Sequence, residues 1–365
     1  MGSTTRNTVL ESPSLDPNGI CGKYSRYPES GNRTAEGGMR LKGIYKRSMD
    51  VKPLVSIITV VYNKVEKLKR AIESVINQTY DNIEYIIIDG NSIDGTLDVI
   101  KMYEEYIDYY VSEPDDGIYN AMNKGLELAT GVYIGILNAD DWFIDTAVED
   151  SINAILSSQA EYSGADEIIV DEAGNRIGNY GIFYFNDIAL FSLNPCNHGT
   201  MFISKRIYND LGKYEPSLKI ASDLKYQLKI ITHRYKYCIV NKPIHYYELS
   251  GISFRDQNTS VGEVLKILEE LHPTLSESDL NAIARLRYYN EVNSETFQLL
   301  SKVAASNQYS ITQKCFIARR ISDILLPREF QPNDSFLINP QMLGVKGHLT
   351  LMLRAIKRKI LRFLD

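Results

Sequence analysis

Between Leu54 and Leu137 the chain alternates apolar, β-branched runs with segments of 3.6-residue periodicity, and few architectures accept that alternation. The run from Leu54 to Tyr62 is apolar on both faces of the pleat, as a strand inside a parallel sheet requires. After it, Val65, Leu68, Ile72, Val75 and Ile76 recur at helical spacing through Asn77, with Asn63 in position to cap that helix. The cycle repeats as strand Ile83 to Asp89, helix Asp94 to Glu105, strand Tyr109 to Ser112, helix Ile118 to Ala129 and strand Val132 to Leu137. This pattern predicts an α/β domain with right-handed crossovers. Ligands of open α/β sheets bind beyond the carboxyl ends of the strands. The loops to search are therefore Tyr62-Asn63, Asp89 to Thr96, Glu113 to Gly117 and Asn138 to Trp142, three of which are acidic.

The rest of the chain is less regular. From Glu161 to about Arg255 strands shorten and helices thin out, which predicts a mixed, partly antiparallel half. Beyond Val261 helical spacing returns through Leu265, Leu268 and Leu271, then over Ala282 to Tyr289 and Phe297 to Ala304. Residues 1–50, rich in Gly, Ser, Pro, Asn and Arg, read as an N-terminal arm. The expected division is 1–50, 51–255 and 256–365. At 365 residues with 44% hydrophobic and 24% charged, the chain can bury a sizeable core. Its formal charge of -6 disfavours a general nucleic-acid binder. Cys21, Cys196, Cys238 and Cys315 lie far apart without CxxC or zinc-ligand spacing, which excludes a disulfide scaffold and suits a reducing cytoplasm. No stretch reaches the ~18 apolar residues of a membrane helix, and the N-terminus is too polar for a signal peptide. Over 346–365, Leu349, Met352, Leu353, Ile356, Ile360, Phe363 and Leu364 share one helical face and Arg354, Lys357, Arg358, Lys359 and Arg362 fill the rest. Such a basic amphipathic helix can lie on the inner face of the cell membrane or dock on protein, and both readings stay open.

Two acidic clusters carry the chemistry: Asp89-Gly90-Asn91-Ser92-Ile93-Asp94-Gly95-Thr96 and Asn138-Ala139-Asp140-Asp141. Turns and helix caps account for Asp94 and Gly95, but poorly for Asp89 or the Asp140-Asp141 pair. Carboxylates at a strand end suit Mg or Mn, with phosphate oxygens of a substrate as further ligands. Together with Tyr62-Asn63 and the stretch Asp116-Gly117-Ile118-Tyr119-Asn120-Ala121-Met122-Asn123-Lys124-Gly125, these motifs resemble family 2 glycosyltransferases of the GT-A fold. The likeness is strongest to bacterial enzymes of surface-polysaccharide assembly (O-antigen, capsule, exopolysaccharide) and covers roughly residues 51–255.

The resemblance implies a Rossmann-like nucleotide-diphospho-sugar transferase domain with a mixed central sheet. It also implies an inverting enzyme that moves a hexose or N-acetylhexosamine from a UDP-sugar to a hydroxyl of a lipid-linked glycan, using Mn2+ or Mg2+. On that pattern Val60 and Tyr62 flank the nucleobase, Asp89 accepts from its imide, and Asp116 and Lys124 border the ribose or phosphates. Asp140 sits by the ribose or metal, and Asp141 holds the cation, although Asn138 stands where a first Asp could be. Asp223, in Ser222-Asp223, is the expected base and His198 an acceptor-side residue, while Ser250-Gly251-Ile252-Ser253 with Arg255 reads as a closing loop or a plain turn. Two other readings compete: an inactive GT-A-like scaffold in an assembly complex, and a sugar-1-phosphate nucleotidyltransferase. The second lacks its glycine-rich loop after the first strand, and no GxGxxG of a dehydrogenase follows it either.

Overall fold

The computed structural model describes residues 8–9, 15–181, 195–249, 251, 256–288 and 293–309. The amphipathic stretch 346–365 and, apart from Gly251, the Ser250 to Arg255 loop lie outside the described residues. Three short strands come first, Thr8–Val9 (β1), Ala35–Gly37 (β2) and Tyr45–Lys46 (β3), with β1 antiparallel to β3. The expected alternation then follows. Val55–Val61 (β4), Ile83–Asp89 (β5), Tyr109–Ser112 (β6) and Tyr133–Asn138 (β7) are strands, joined through helices Val65–Ile76 (α1), Thr96–Met102 (α2) and Ile118–Leu128 (α3). Every residue of β4 and β5 is buried, consistent with their continuous apolar character. Polar residues inside these strands are satisfied: Ser56 donates to Glu84 and Thr59 bonds to Tyr85.

The second half contributes Trp142–Phe143 (β8), Ala147–Ser158 (α4), Tyr162–Val170 (β9), Arg176–Tyr180 (β10) and Phe202–Ser204 (β11). Lys205–Leu211 (α5), Ser222–Thr232 (α6) and Tyr237–Glu248 (β12) complete the first unit. One sheet runs β2-β6-β5-β4-β7-β11-β9-β12-β8, with β10 paired to β9. Strands β6, β5, β4 and β7 are parallel, whereas β11 is antiparallel to both β7 and β9, giving the expected mixed half. Strand order reverses direction at β4, so the crevice for a ligand opens beyond the carboxyl ends of β4 and β7.

Contacts divide the chain after Gln257. The second unit includes most of Gln257–Leu271 (α7) together with Glu277–Tyr288 (α8) and Ser294–Ala305 (α9), the last opened by a reciprocal cap between Asn293 and Thr296.

The N-terminal segment departs from the reading of residues 1–50 as an arm. From residue 15 it packs into the first unit, and β2 adds antiparallel to the β6 edge. Three of its cations meet core carboxylates: Arg33 with Glu113 at 3.0 Å, Arg40 with Glu84 at 2.5 Å and Lys46 with Asp108 at 2.5 Å. Sequence periodicity misses this because long-range ion pairs, with little regular structure, hold the segment in place.

Candidate active site

The crevice begins where β4 ends. Tyr62 is 62% exposed beyond it, and Val60, buried in the strand, lies opposite Ile88 and Asn138. Asn63, with φ of 50°, does not cap α1. It accepts from the Ile93 amide instead, and Asp94 caps α1 from the neighbouring loop by accepting from Val65 N at 3.0 Å. Asp94 also accepts from Thr96 N, so one carboxylate ties the starts of α1 and α2 together. These bonds hold its pKa below the usual range, offsetting the small cost of burial.

Asp89 is fully buried, and its oxygens accept from Ser92 Oγ and Ser112 Oγ. Through these bonds it pins the loop after β5 from below. The carboxylate that reaches the crevice is Asp115. A Cβ on Gly90 would lie 2.7 Å from Asp115 Oδ2 and 3.3 Å from Tyr62 Cδ2, so only glycine leaves a slot between that ring and that carboxylate. Burial, aided by the charges of Asp89 and Asp116, raises the Asp115 pKa. Asp116 is exposed at the tip of the same loop, whose turn Asp115 closes by accepting from Gly117 N.

Lys124 is not a free ammonium at the crevice, as expected for a residue bordering phosphates. It is 8% exposed and donates to Glu113 at 2.8 Å and to Pro114 O at 3.0 Å. Arg33 and Ser30 donate to the same Glu113, so a buried cluster supports the Asp115 loop from beneath. The cation that faces the crevice is Lys64, paired with Asp140 at 3.0 Å across the β4 and β7 loops.

Asp141 lies deeper, 2% exposed, with Oδ1 accepting from Glu248 N at 3.0 Å. Burial pushes its pKa up to about 7, although His245 opposes that shift. The His245 ring is fully buried, bonds through Nδ1 to Glu167 Oε2 at 3.3 Å and sets Nε2 3.7 Å from Asp141 Oδ2. Burial depresses its pKa, but Glu167 and Asp141 outweigh that and leave it above the ordinary value. Register shifts on both sides of Pro243 re-aim β12 next to this residue. Gly199 completes the seat, since a Cβ there would come within 2.7 Å of His245 Nε2. Among the described residues, His245 Nε2 and Asn138 Oδ1 are buried without hydrogen-bond partners, and Asn138 Nδ2 donates to Asp141 at 3.3 Å.

Those orphaned atoms beside a carboxylate fit a divalent cation: Asp141 and His245 would hold it, with Asn138 Oδ1 at hand. No three His, Cys, Asp or Glu side chains form a closed metal cage among the described residues. The open positions suit a cation shared with substrate phosphates.

Asp223 stands in the first turn of α6 and accepts from Tyr119 OH at 2.8 Å. His198 is buried, bonds to Tyr214 OH at 2.6 Å and lies within electrostatic reach of both Asp223 and His245. Burial holds its pKa below the ordinary value despite the Asp223 charge. His198 is thus a neutral spacer in the wall between the two acidic centres. Of the expected site residues, Tyr62, Asp140, Asp141, Asp223 and His198 gather around the crevice, and Asp115, Lys64, Asn138 and His245 join them.

A mixed α/β sheet with carboxylates beyond the strand ends at its switch point is the architecture of a GT-A-type fold. Residues 56–212, under half of the chain, match the family model for glycosyl transferase family 2. A PGL/p-HBAD biosynthesis glycosyltransferase of Mycobacterium bovis is 27% identical over 213 residues, covering 55% of this chain and 79% of that protein. The chondroitin synthase of Escherichia coli is 30% identical over 249 residues, covering 65% of this chain but only 34% of that protein. S. aureus TarS 1-349 in complex with UDP-GlcNAc superposes with a TM-score of 0.51 at 14% identity, covering 74% of this chain and 80% of that one, a likeness of fold.

Proposed function

We propose that this chain is an inverting, metal-dependent glycosyltransferase that moves a hexose or N-acetylhexosamine from a UDP-sugar to a hydroxyl of a glycan acceptor. The observation that carries the reading is the pairing of a cation-ready Asp141 and His245 centre with Asp223 across the His198 wall. The nucleobase enters the slot over Gly90, between Tyr62 and Asp115. A TarS structure that shares this fold holds UDP-GlcNAc, which supports a uridine donor.

The acceptor hydroxyl gives its proton to the Asp223 carboxylate, and its oxygen forms the new bond to the anomeric carbon from the face opposite the leaving group. The bond from that carbon to the β-phosphate oxygen breaks, its electron pair leaves with UDP, and inversion follows. The Tyr119 hydroxyl, shared between Ile220 O at 2.6 Å and Asp223 Oδ1 at 2.8 Å, lies on the Oδ1 side and leaves Oδ2 to receive the proton. A bound cation supplies charge to the departing diphosphate. The imidazole in the donor set favours Mn2+ over Mg2+. Lys64, half-exposed beside Asp140, is placed to follow the same developing charge.

Relatives named for PGL/p-HBAD biosynthesis and chondroitin synthesis support a glycan acceptor. No helix among the described residues is long and apolar enough to cross a membrane. The test is a Mn2+-dependent UDP-release screen over UDP-sugars with native protein, Asp141→Ala and Asp223→Asn. One sugar should give release that both substitutions abolish, with UDP affinity kept in Asp223→Asn. Release surviving in Asp141→Ala would refute the reading.

A further inference from the structure

We infer that a cavity between the N-terminal segment and α3 is a subsite for a saccharide residue of the acceptor. The inference rests on the transferase reading and deepens it. The cavity has a volume of about 280 Å³ and is lined by Tyr27, Asn120, Glu127, Lys213, Tyr214 and Pro216 among others. That is just under the roughly 300–1,000 Å³ of drug-sized pockets, room for one sugar ring.

The chemistry of the walls selects a neutral, hydroxyl-rich occupant. Their charges are already matched, Lys213 by Glu127 and the neighbouring Lys124 by Glu113. A charged ligand would therefore break a pair to enter. Asn123 is used twice, exchanging hydrogen bonds with the Tyr214 backbone, and so fixes the wall. The Asn120 carboxamide, half-buried on the lining, has no partner among the described residues and offers both a donor and an acceptor. An apolar occupant would strand it, whereas a sugar hydroxyl bonds to it. The half-buried phenol ring of Tyr27 adds the partly apolar surface that a pyranose face covers.

Position ties the cavity to the reaction. Asn120 follows Tyr119, whose hydroxyl bonds to Asp223 and whose ring packs on Tyr214 with centroids 5.9 Å apart. One aromatic layer thus separates the cavity from the base. A sugar bound there is joined to the one whose hydroxyl reacts, so the subsite requires at least a disaccharide end. Tyr27 precedes the family-matched residues 56–212, and this wall is one that the family pattern does not supply. The N-terminal segment thereby sets acceptor choice in this chain.

The test uses the full chain with UDP and Mn2+, probed by saturation-transfer NMR with the methyl glycosides of glucose, galactose, mannose, N-acetylglucosamine and N-acetylgalactosamine. Native protein should give signal for at least one glycoside. Tyr27→Ala and Asn120→Leu should each reduce it at least fivefold while calorimetric UDP affinity stays within twofold. Signal that survives both substitutions, or no signal from protein that binds UDP, overturns the subsite and leaves the transferase reading standing. Native protein that fails to bind UDP overturns both.

Discussion

Arg40→Met isolates what the N-terminal segment contributes to the catalytic unit. Arg40 is 5% exposed and Glu84 2%, so the guanidinium is the charge that balances a carboxylate inside the core. Arg40 also donates to Leu128 O at 2.9 Å and Ser25 O at 3.3 Å, and Glu84 accepts from Ser56 Oγ at 2.5 Å and Thr130 N at 2.8 Å. Removing one partner of such a pair leaves an uncompensated buried charge and costs about 3–5 kcal/mol. At about 3 kcal/mol per molar urea, the upper end for small proteins, the unfolding midpoint should fall by roughly 1–1.7 M. Trp142, the sole tryptophan, stacks between Arg70 and Tyr246 and reports unfolding of the same unit by fluorescence. Adding Glu84→Gln to Arg40→Met removes the stranded charge, so the double variant should lie closer to native than Arg40→Met alone. A loss below about 1 kcal/mol in Arg40→Met, within the range of an exposed pair, would refute the burial argument and restore the segment to the status of an appendage.

Three further outcomes follow from the same geometry. Gly199→Ala places a Cβ 2.7 Å from His245 Nε2, so the ring must shift, and the Mn2+ concentration for half-maximal turnover should rise about 10- to 100-fold with little loss of fold. Tyr119→Phe removes the bond that orients Asp223, and kcat should drop by about 10- to 100-fold while UDP affinity is unchanged. Acid should destabilise the first unit in a defined window. Burial raises Glu84 and Glu113, but Arg40 offsets it for the first and Lys124, Ser30 and Arg33 for the second, leaving both pKa values below the ordinary 4.5. The unfolded chain then binds more protons, so this stability is full above 4.5 and is lost as pH falls through the depressed values. Urea midpoints from about pH 6 to about pH 3 should fall, and the slope should flatten in Arg40→Met/Glu84→Gln.

The parallel half of the fold is legible because strands buried on both faces leave uninterrupted runs such as Val55–Val61, and each acidic loop follows one of them. Asp141 and Asp223 are legible for the same reason, standing at a strand end and a helix start. What the sequence hides is set by contacts across long separations. His245 sits in the mixed stretch Lys242-Pro243-Ile244-His245-Tyr246, and only the fold brings it to Glu167, 78 residues away, and Asp141. Neighbouring Asp115 and Asp116 are equivalent on paper, and the turn at Gly117 decides which one faces the slot. Lys124 carries no sequence mark of its partner, because Glu113 meets it only when the preceding loop folds over α3. Pro243, which interrupts the β12 register, is a local signal that pointed toward the missed histidine.

The N-terminal segment joins stability to function because its anchors fall on the elements that shape the site. β6 would otherwise present an open edge, and the three-residue β2 covers it while remaining too short to offer a template for another chain. Apolar side chains could cover such an edge, yet the segment uses Arg33, Arg40 and Lys46 against three carboxylates. An apolar cover tolerates sliding, whereas a pair such as Arg40 with Glu84 has one register, and a shifted segment would leave buried charges unmatched. The same register holds Glu113 under the Asp115 loop and brings Tyr27 to the cavity by α3. A substitution that loosens Arg33 should therefore disturb donor and acceptor affinity together, which neither Asp115 nor Tyr27 alone would do.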